Sequence, residues 1–370
     1  MKRVLFLIPT LGYGGAEKVL VNLVNNLDKS KFDVTVQTLF DCGINKQFLS
    51  SDVKYRYSFK RFFRGSARLF LLWSPQTLYK RLVKEKYDIV VSYLEGVTAR
   101  IVSGCVDEDT KLVNWIHCKL DTPEVISSAF RSFEEAKKCY SNYDYTVCVS
   151  QMVKDYFVKA LSFSEKTGVL YNTIETDIII EKSLEPVTDV VFDQDCVNIC
   201  AVGKIVPVKG FERLAAIHKR LKDEKISNKV YILGVGSEKK KLEKYLRDNK
   251  LEDTFIFLGY KTNPYKYIKN SDLYVCSSYS EGFSTAVTES LIVGTPVVTT
   301  RCSGMEEQLG CNNEYGIITD NNEQALYEGI KEMITTEGCL EKYAEKALER
   351  GKSFNKEITV KAVEDMLEKL

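Results

Sequence analysis

Short apolar runs of strand length alternate with helical stretches along the whole chain. This alternation leaves few folds open. Val4–Ile8, Asp33–Leu39, Asp88–Tyr93, Lys111–Ile116, Tyr145–Val149 and Val169–Tyr171 read as strands, as do Val197–Val202, Val230–Gly234, Thr254–Leu258, Asp272–Ser277 and Val297–Thr300. Between them, apolar residues recur at helical spacing, as in Ala16–Leu27 with Val19, Leu20, Leu23, Val24 and Leu27 on one side. Continuous apolar strands separated by helices belong in parallel, doubly wound sheets. A chain of 370 residues is long for one such core, so two are expected. The first is expected over residues 1–172, the second over 196–355, with the polar, acid-rich segment 173–195 as the crossing. The last stretch, Lys356–Leu370, is amphipathic through Ile358, Val360, Val363, Met366 and Leu367.

Composition narrows the class. With 44% hydrophobic and 28% charged residues and a formal charge of +1, the chain reads as soluble and globular with no global polyelectrolyte partner. Eleven cysteines without a C-x-x-C pair, and only two histidines, argue against a zinc site and for reduced thiols. Met1-Lys2-Arg3 is followed by five apolar residues before Pro9, the length of a strand and too short for a signal-peptide core. No apolar run approaches the ~18 residues that span a bilayer. The expected location is the cytoplasm.

The chemistry concentrates in residues 272–300, DLYVCSSYSEGFSTAVTESLIVGTPVVTT, read as strand, loop, helix and strand. Gly294 and Pro296 stop the helix. Glu281 lies in the loop and Glu289 within the helix. Between them Gly282, Phe283, Ser284 and Thr285 bring backbone N–H groups to the helix start, where unpaired donors and the positive dipole end attract an anion. Glu289 sits about four residues deeper, roughly 6 Å along the axis, within reach of another part of the same ligand. A second strand-end loop, Gly203-Lys204-Ile205-Val206-Pro207-Val208-Lys209-Gly210, carries two lysines able to neutralise a diphosphate. A third, Pro9–Gly15, is glycine-rich and opens a helix at Gly14, Gly15 and Ala16, outside the G-x-G-x-x-G register. His117 stands at the end of the strand Lys111–Ile116, on the side where open α/β sheets bind ligands. His218 falls within a helical pattern and reads as surface.

Glu281-Gly282-Phe283-Ser284 through Glu289, then Gly294-Thr295-Pro296-Val297-Val298, resembles the retaining nucleotide-sugar glycosyltransferases of family 4, which have the GT-B fold: two Rossmann-like domains facing a cleft. Lys209-Gly210 matches that family, whereas Lys204 stands where it usually has arginine, losing the bidentate fork. The resemblance covers nearly the whole chain and is strongest over residues 200–300. It implies that the first domain binds the acceptor, that the second binds the donor, and that the final helix crosses back to the first. Gly14, Gly15 and Ala16 would face the donor diphosphate and the acceptor. His117 would face the transferred sugar, Glu281 its hydroxyls, and Glu289 the ribose hydroxyls. Lys204, Lys209 and the Gly282–Thr285 helix start would meet the charge growing on the leaving phosphate. The resemblance implies a nucleotide diphosphate sugar as co-substrate, a UDP-sugar by the general habit of the family, with no metal and no other cofactor. Whether Glu281 attacks as a nucleophile stays open. So do two rival classes: an epimerase on the same fold, which would need no acceptor, and a non-catalytic binder of sugar nucleotides or nucleic acid.

Residues 54–86 break the charge balance, with ten basic residues against the single acid Glu85. Tyr55, Tyr57, Phe59, Phe62, Phe63, Phe70 and Trp73 are interleaved. Such a patch suits an anionic membrane surface, with Arg61, Arg64 and Arg68 as the charges to test. Its composition also suits nucleic acid, though no nucleic-acid partner is expected, and a solvated face over core aromatics would read the same way. The expectation is peripheral attachment to the inner face of the plasma membrane, over a lipid-linked glycan acceptor of surface polysaccharide synthesis.

Overall fold

The computed structural model describes the backbone throughout residues 1–370, and the chain divides into two compact units. Unit 1 comprises Met1–Thr173 together with Lys356–Leu370, and unit 2 comprises Ile174–Asn355.

Unit 1 holds a seven-stranded sheet built from β1 (Lys2–Ile8), β2 (Phe32–Phe40), β3 (Lys54–Phe59), β4 (Ile89–Ser92), β5 (Lys111–Ile116), β6 (Tyr145–Cys148) and β7 (Thr167–Val169). The order is β3-β2-β1-β4-β5-β6-β7, and all six neighbouring pairs are parallel, with Val4 level with both Val34 and Ile89. Val4 to Ile8 are fully buried, as expected of a central strand covered on both faces. The helix Gly15–Asn26 turns Val19, Leu20, Leu23 and Val24 inward. The final helix, Lys356–Lys369, buries Val363 and Leu367 in this unit. Its Glu364 carboxylate accepts from the Asp28 N–H at 2.7 Å. Lys2 Nζ donates to the Leu367 and Glu368 carbonyls at 2.8 and 3.0 Å, a cation placed on the negative end of the helix.

Unit 2 holds a six-stranded parallel sheet from β8 (Val197–Val202), β9 (Asn228–Leu233), β10 (Phe255–Gly259), β11 (Leu273–Cys276), β12 (Val297–Thr300) and β13 (Ile317–Thr319). The order is β10-β9-β8-β11-β12-β13, so the winding reverses between β8 and β11. Loops at the carboxyl ends of two such neighbouring strands diverge and leave a crevice. Here those loops are 203–210 and 277–284.

Two expectations need correction. Residues 173–195 are not a bare crossing: Thr176–Ser183 is a helix of unit 2 that buries Ile179. Thr176 Oγ1 also donates to the Phe354 carbonyl at 2.9 Å. The acidic composition hid the short apolar run Ile178-Ile179-Ile180. His218 is not on the surface either. It is fully buried on the helix Phe211–Asp223, with Nδ1 2.6 Å from Asn228 Oδ1 and Nε2 2.9 Å from Thr254 Oγ1.

Burial pushes the His218 pKa down to about 4. The unfolded chain takes up this proton near the ordinary histidine value of about 6.5. Between those values the unfolded state holds more protons, so this contribution is complete above pH 6.5 and is lost as pH falls towards 4. The urea midpoint is expected to fall over that window, and more shallowly in His218→Gln, which keeps the polar partners without the titration. An equal slope in both proteins would contradict this.

Candidate active site

The loop after β8 is held by close backbone packing. Ile205 is fully buried, its N–H donates to the Val235 carbonyl at 2.9 Å, and its carbonyl accepts from Glu238 at 3.1 Å. Lys204, beside it, is exposed. Pro207–Lys209 forms one 3-10 turn, ended by Gly210 at φ +62°. A side chain is excluded there, because a Cβ on Gly210 would lie 2.1 Å from the Ser277 carbonyl oxygen.

The loop after β11 is zipped onto this turn. Ser277 Oγ donates to the Lys209 carbonyl at 2.9 Å, and the Tyr279 N–H donates to the Val208 carbonyl at 2.8 Å. The side chains then meet. Glu281 Oε1 accepts both Lys209 Nζ and Ser278 Oγ, each at 2.5 Å. The lysine side chain is 26% exposed and the glutamate 11%. Burial works against the charge on Lys209, but the Glu281 carboxylate outweighs it and holds the ammonium above its usual range. Removing one partner of such a pair strands the other charge in a poorly solvated place.

Downstream the chain enters the helix Thr285–Val293. Ser284 caps it, accepting from the Val287 N–H at 3.4 Å. Gln308 Nε2 holds the entry by donating to the Ser284 carbonyl and to Thr288 Oγ1, both at 2.7 Å. Gly282 is buried, Phe283 and Thr285 are half-buried, and Glu289 is 3% exposed on the helix. Gly294, at φ +81°, ends it. Lys209, Ser278 and Glu281 thus form one hydrogen-bonded group in unit 2, followed directly in the chain by the Gly282–Thr285 helix start.

Unit 1 carries the remaining expected residues. Gly14 is extended at φ −89° and precedes the helix that begins Gly15-Ala16; a Cβ on Gly14 would lie 2.0 Å from Glu17 Oε2. His117 follows β5, its N–H donates to Glu95 Oε2 at 2.8 Å, and its ring lies 4.9 Å from that of Tyr93. Burial pushes its pKa down to about 3 despite a hydrogen bond with the Tyr93 backbone. The ring is therefore neutral at physiological pH, and its buried Nε2 has no partner among the described residues.

The basic stretch divides. Phe59, Phe62, Phe63 and Phe70 all lie in ring contact with the buried Phe40. Phe70 is core, whereas Phe62 and Leu72 are 66% and 72% exposed. Lys54, Arg56 and Lys86 form ion pairs with Asp33, Glu85 and the Asp107/Asp109 pair. Arg61, Arg64 and Arg68 are exposed and form no ion pair among the described residues. The helix Ser66–Leu72 is clamped at its end, which the sequence did not announce: Arg100 donates to the Phe70 and Trp73 carbonyls and Arg131 to those of Leu71 and Leu72. Glu135 accepts from both arginines.

Sequence reasoning also missed Ser278 and Glu95. Each is a polar residue just past an apolar strand, and that position was the available signal. Among the described residues no group of three or more His, Cys, Asp and Glu side chains is placed to hold a metal ion. The tight approach at Gly210 gives a direct expectation. Gly210→Ala combines left-handed strain with a clash against Ser277, and is expected to cost about 1–3 kcal/mol and lower the melting temperature. An unchanged melting temperature would show that the two loops are not locked.

Comparison with known proteins agrees with this architecture. Residues 13–178 match the model of Glycosyltransferase Family 4, and residues 189–353 match that of Glycosyl transferases group 1. The chain is 33% identical over 208 residues to the Campylobacter jejuni N-acetylgalactosamine-N,N'-diacetylbacillosaminyl-diphospho-undecaprenol 4-alpha-N-acetylgalactosaminyltransferase, a match covering 56% of this chain and 54% of that enzyme. It is 23% identical to the Salmonella typhimurium lipopolysaccharide 1,6-galactosyltransferase over 82% of each chain. In structure it is similar to Anabaena HepE in complex with UDP and glucose, with a TM-score of 0.79, 19% identity and full coverage of both chains. With two parallel-sheet Rossmann-like units, one matched by each model, the chain belongs to the group 1 glycosyltransferases of the GT-B fold.

Proposed function

We propose that the protein moves a hexose or N-acetylhexosamine from a UDP-sugar, with retention of anomeric configuration, to a hydroxyl of a lipid-linked glycan in surface polysaccharide synthesis. The observation that carries the reading is the Glu281 carboxylate held by Lys209 and Ser278 beside a helix start, where the strand order of unit 2 reverses. The bond to break joins the anomeric carbon to the diphosphate. Negative charge then grows on the leaving phosphate, and preorganised cations and N–H groups stabilise it without reorganisation. Lys209, Lys204 and the Gly282–Thr285 segment have that role. Glu281 spends Oε1 on the lysine and the serine, which leaves Oε2 for sugar hydroxyls and for a cationic anomeric centre. The acceptor oxygen bonds to that carbon on the face the phosphate leaves, and the departing phosphate oxygen takes the acceptor's proton. Glu289 takes the ribose hydroxyls. We assign His117, as a neutral donor or acceptor, to the sugar, and Gly14, Gly15 and Ala16 to the diphosphate and acceptor. No metal enters the scheme. The names of the Campylobacter relative and of the UDP-bound HepE structure support a lipid-diphosphate acceptor and a uridine donor.

Glu281→Gln and Lys209→Ala are each expected to lower transfer by roughly 10²–10³, the usual cost of one preorganised charge-stabilising group. The check is nucleotide release from a panel of sugar nucleotides, with circular dichroism to confirm folding. A near-normal kcat in either folded variant would remove that residue from the mechanism.

The proposal places the enzyme against the anionic inner face of the plasma membrane. Its support is the exposed Phe62 and the unpaired Arg61 and Arg64 just before the helix Ser66–Leu72, with the unpaired Arg68 and the exposed Leu72 on that helix, whose C-terminal end is clamped. No helix among the described residues is long and apolar enough to cross a membrane. Each cation near an anionic surface contributes about 1 kcal/mol, so changing the three arginines together to glutamine is expected to weaken sedimentation with phosphatidylglycerol vesicles by about a hundredfold. Donor binding should stay unchanged. If the unaltered protein ignores such vesicles at low salt, the patch is an ordinary solvated face.

A further inference from the structure

Arg213 stands four residues past Lys209, on the first turn of the helix Phe211–Asp223, and is 2% exposed. Among the described residues it forms no ion pair with a carboxylate. Its guanidinium instead grips the loop after β11. Nε donates to the Ser277 carbonyl at 2.7 Å and Nη2 to the Ser278 carbonyl at 2.6 Å. Nη2 also reaches Thr300 Oγ1 at 3.4 Å, and Nη1 donates to Asn321 Oδ1 at 2.9 Å. The Tyr279 ring lies against the guanidinium, with its centroid 4.0 Å away. The planar fork of arginine suits two consecutive carbonyls, where an ammonium would act as a point charge.

The two gripped residues are the ones whose side chains set the site. Ser277 Oγ holds the Lys209 carbonyl, and Ser278 Oγ holds Glu281 Oε1. One guanidinium therefore fixes the backbone of both residues, and through them both ends of the Lys209–Glu281 pair. Thr300 Oγ1 also donates to the Ser278 carbonyl at 2.6 Å, so this oxygen is held from two sides.

We propose that Arg213 is a positioning residue for glycosyl transfer, setting where Glu281 and Lys209 stand relative to the reacting sugar without touching it. The inference rests on the reading of Glu281 and Lys209 given above. A misplacement of 1 Å can cost about a hundredfold in rate, so the effect belongs in kcat more than in donor affinity.

The test is Arg213→Lys, which keeps the charge and loses the fork. Turnover of UDP-sugar, calorimetric UDP affinity and hydrogen exchange at residues 277–281 are measured beside the unaltered protein and Glu281→Gln. Arg213→Lys is expected to lower kcat by about ten- to a hundredfold, to leave UDP affinity within threefold, and to speed exchange in the loop. A folded variant with kcat within twofold of normal, or one losing UDP affinity as much as kcat, overturns the proposal. If Glu281→Gln turns over normally, the reading of the site fails instead, whatever the loop exchange shows. Should Arg213→Lys not fold, Tyr279→Leu removes the exposed ring beneath the guanidinium. It is expected to lower kcat by at least threefold with UDP affinity unchanged, and an unchanged kcat overturns the proposal.

Discussion

One carboxylate oxygen, Glu281 Oε1, takes the Lys209 ammonium and the Ser278 hydroxyl at the same distance, 2.5 Å. That shared contact joins two loops that are 72 residues apart in sequence and adjacent only because β11 lies beside β8. It also fixes charge where little water reaches, and there each charge depends on the other for solvation. Much nearby architecture maintains it: Gly210 admits the Ser277 carbonyl, Ser277 holds the Lys209 backbone, and Ser284 with Gln308 aims the following helix. A diphosphate arriving beside Lys209 would meet an ammonium already in place and held in its charged form by Glu281. Electrostatic catalysis gains from such preorganisation, since no group has to move as charge develops.

Unit 1 is organised on another principle. Its sheet is as deeply buried, but the unusual chemistry lies at the β3 edge and beyond it, where Arg100, Arg131 and Glu135 end the helix Ser66–Leu72. The buried Arg100 turns carbonyls that would otherwise be orphaned into a fixed attachment. A short helix held this way can present Arg68 and Leu72 outward without fraying, next to the exposed Arg61, Phe62 and Arg64 that lead into it. Phe59 and Phe70 pack against the buried Phe40.

Much of this was legible in the sequence. Strand and helix alternation gave eleven of the thirteen strands, because parallel strands buried on two faces must be apolar throughout, and Val4–Ile8 is such a run; the edge strands β3, which is basic and half-exposed, and β13, which is three residues long, went unread. The Glu281–Glu289 stretch stood out because a loop, glycine and capped helix start have few other uses. What could not be read depends on contacts between distant residues. His218 lies at i+7 from Phe211 and i+4 from Leu214, on the apolar face of its helix; residue type alone suggested the surface, and its partners Asn228 and Thr254, which make it a buried, satisfied histidine, come from other elements. Thr176–Ser183 was hidden because acids and proline around it outweighed three isoleucines. Composition could not sort the aromatics of residues 54–86 into Phe70, which is core, and Phe62, which is not. Lys209 and Glu281 were each marked for a ligand, but their contact with each other required the strand order.

The central claim is that Lys209 and the helix start beside Glu281 receive the diphosphate of a uridine nucleotide. Calorimetric titration of UDP, GDP and uridine into the full chain tests it most directly. The account predicts that UDP binds, that uridine binds at least about a hundredfold more weakly because a few charge-assisted contacts are lost, and that GDP does not compete. Equal affinity for uridine and UDP, or tight GDP binding with none for UDP, would contradict it.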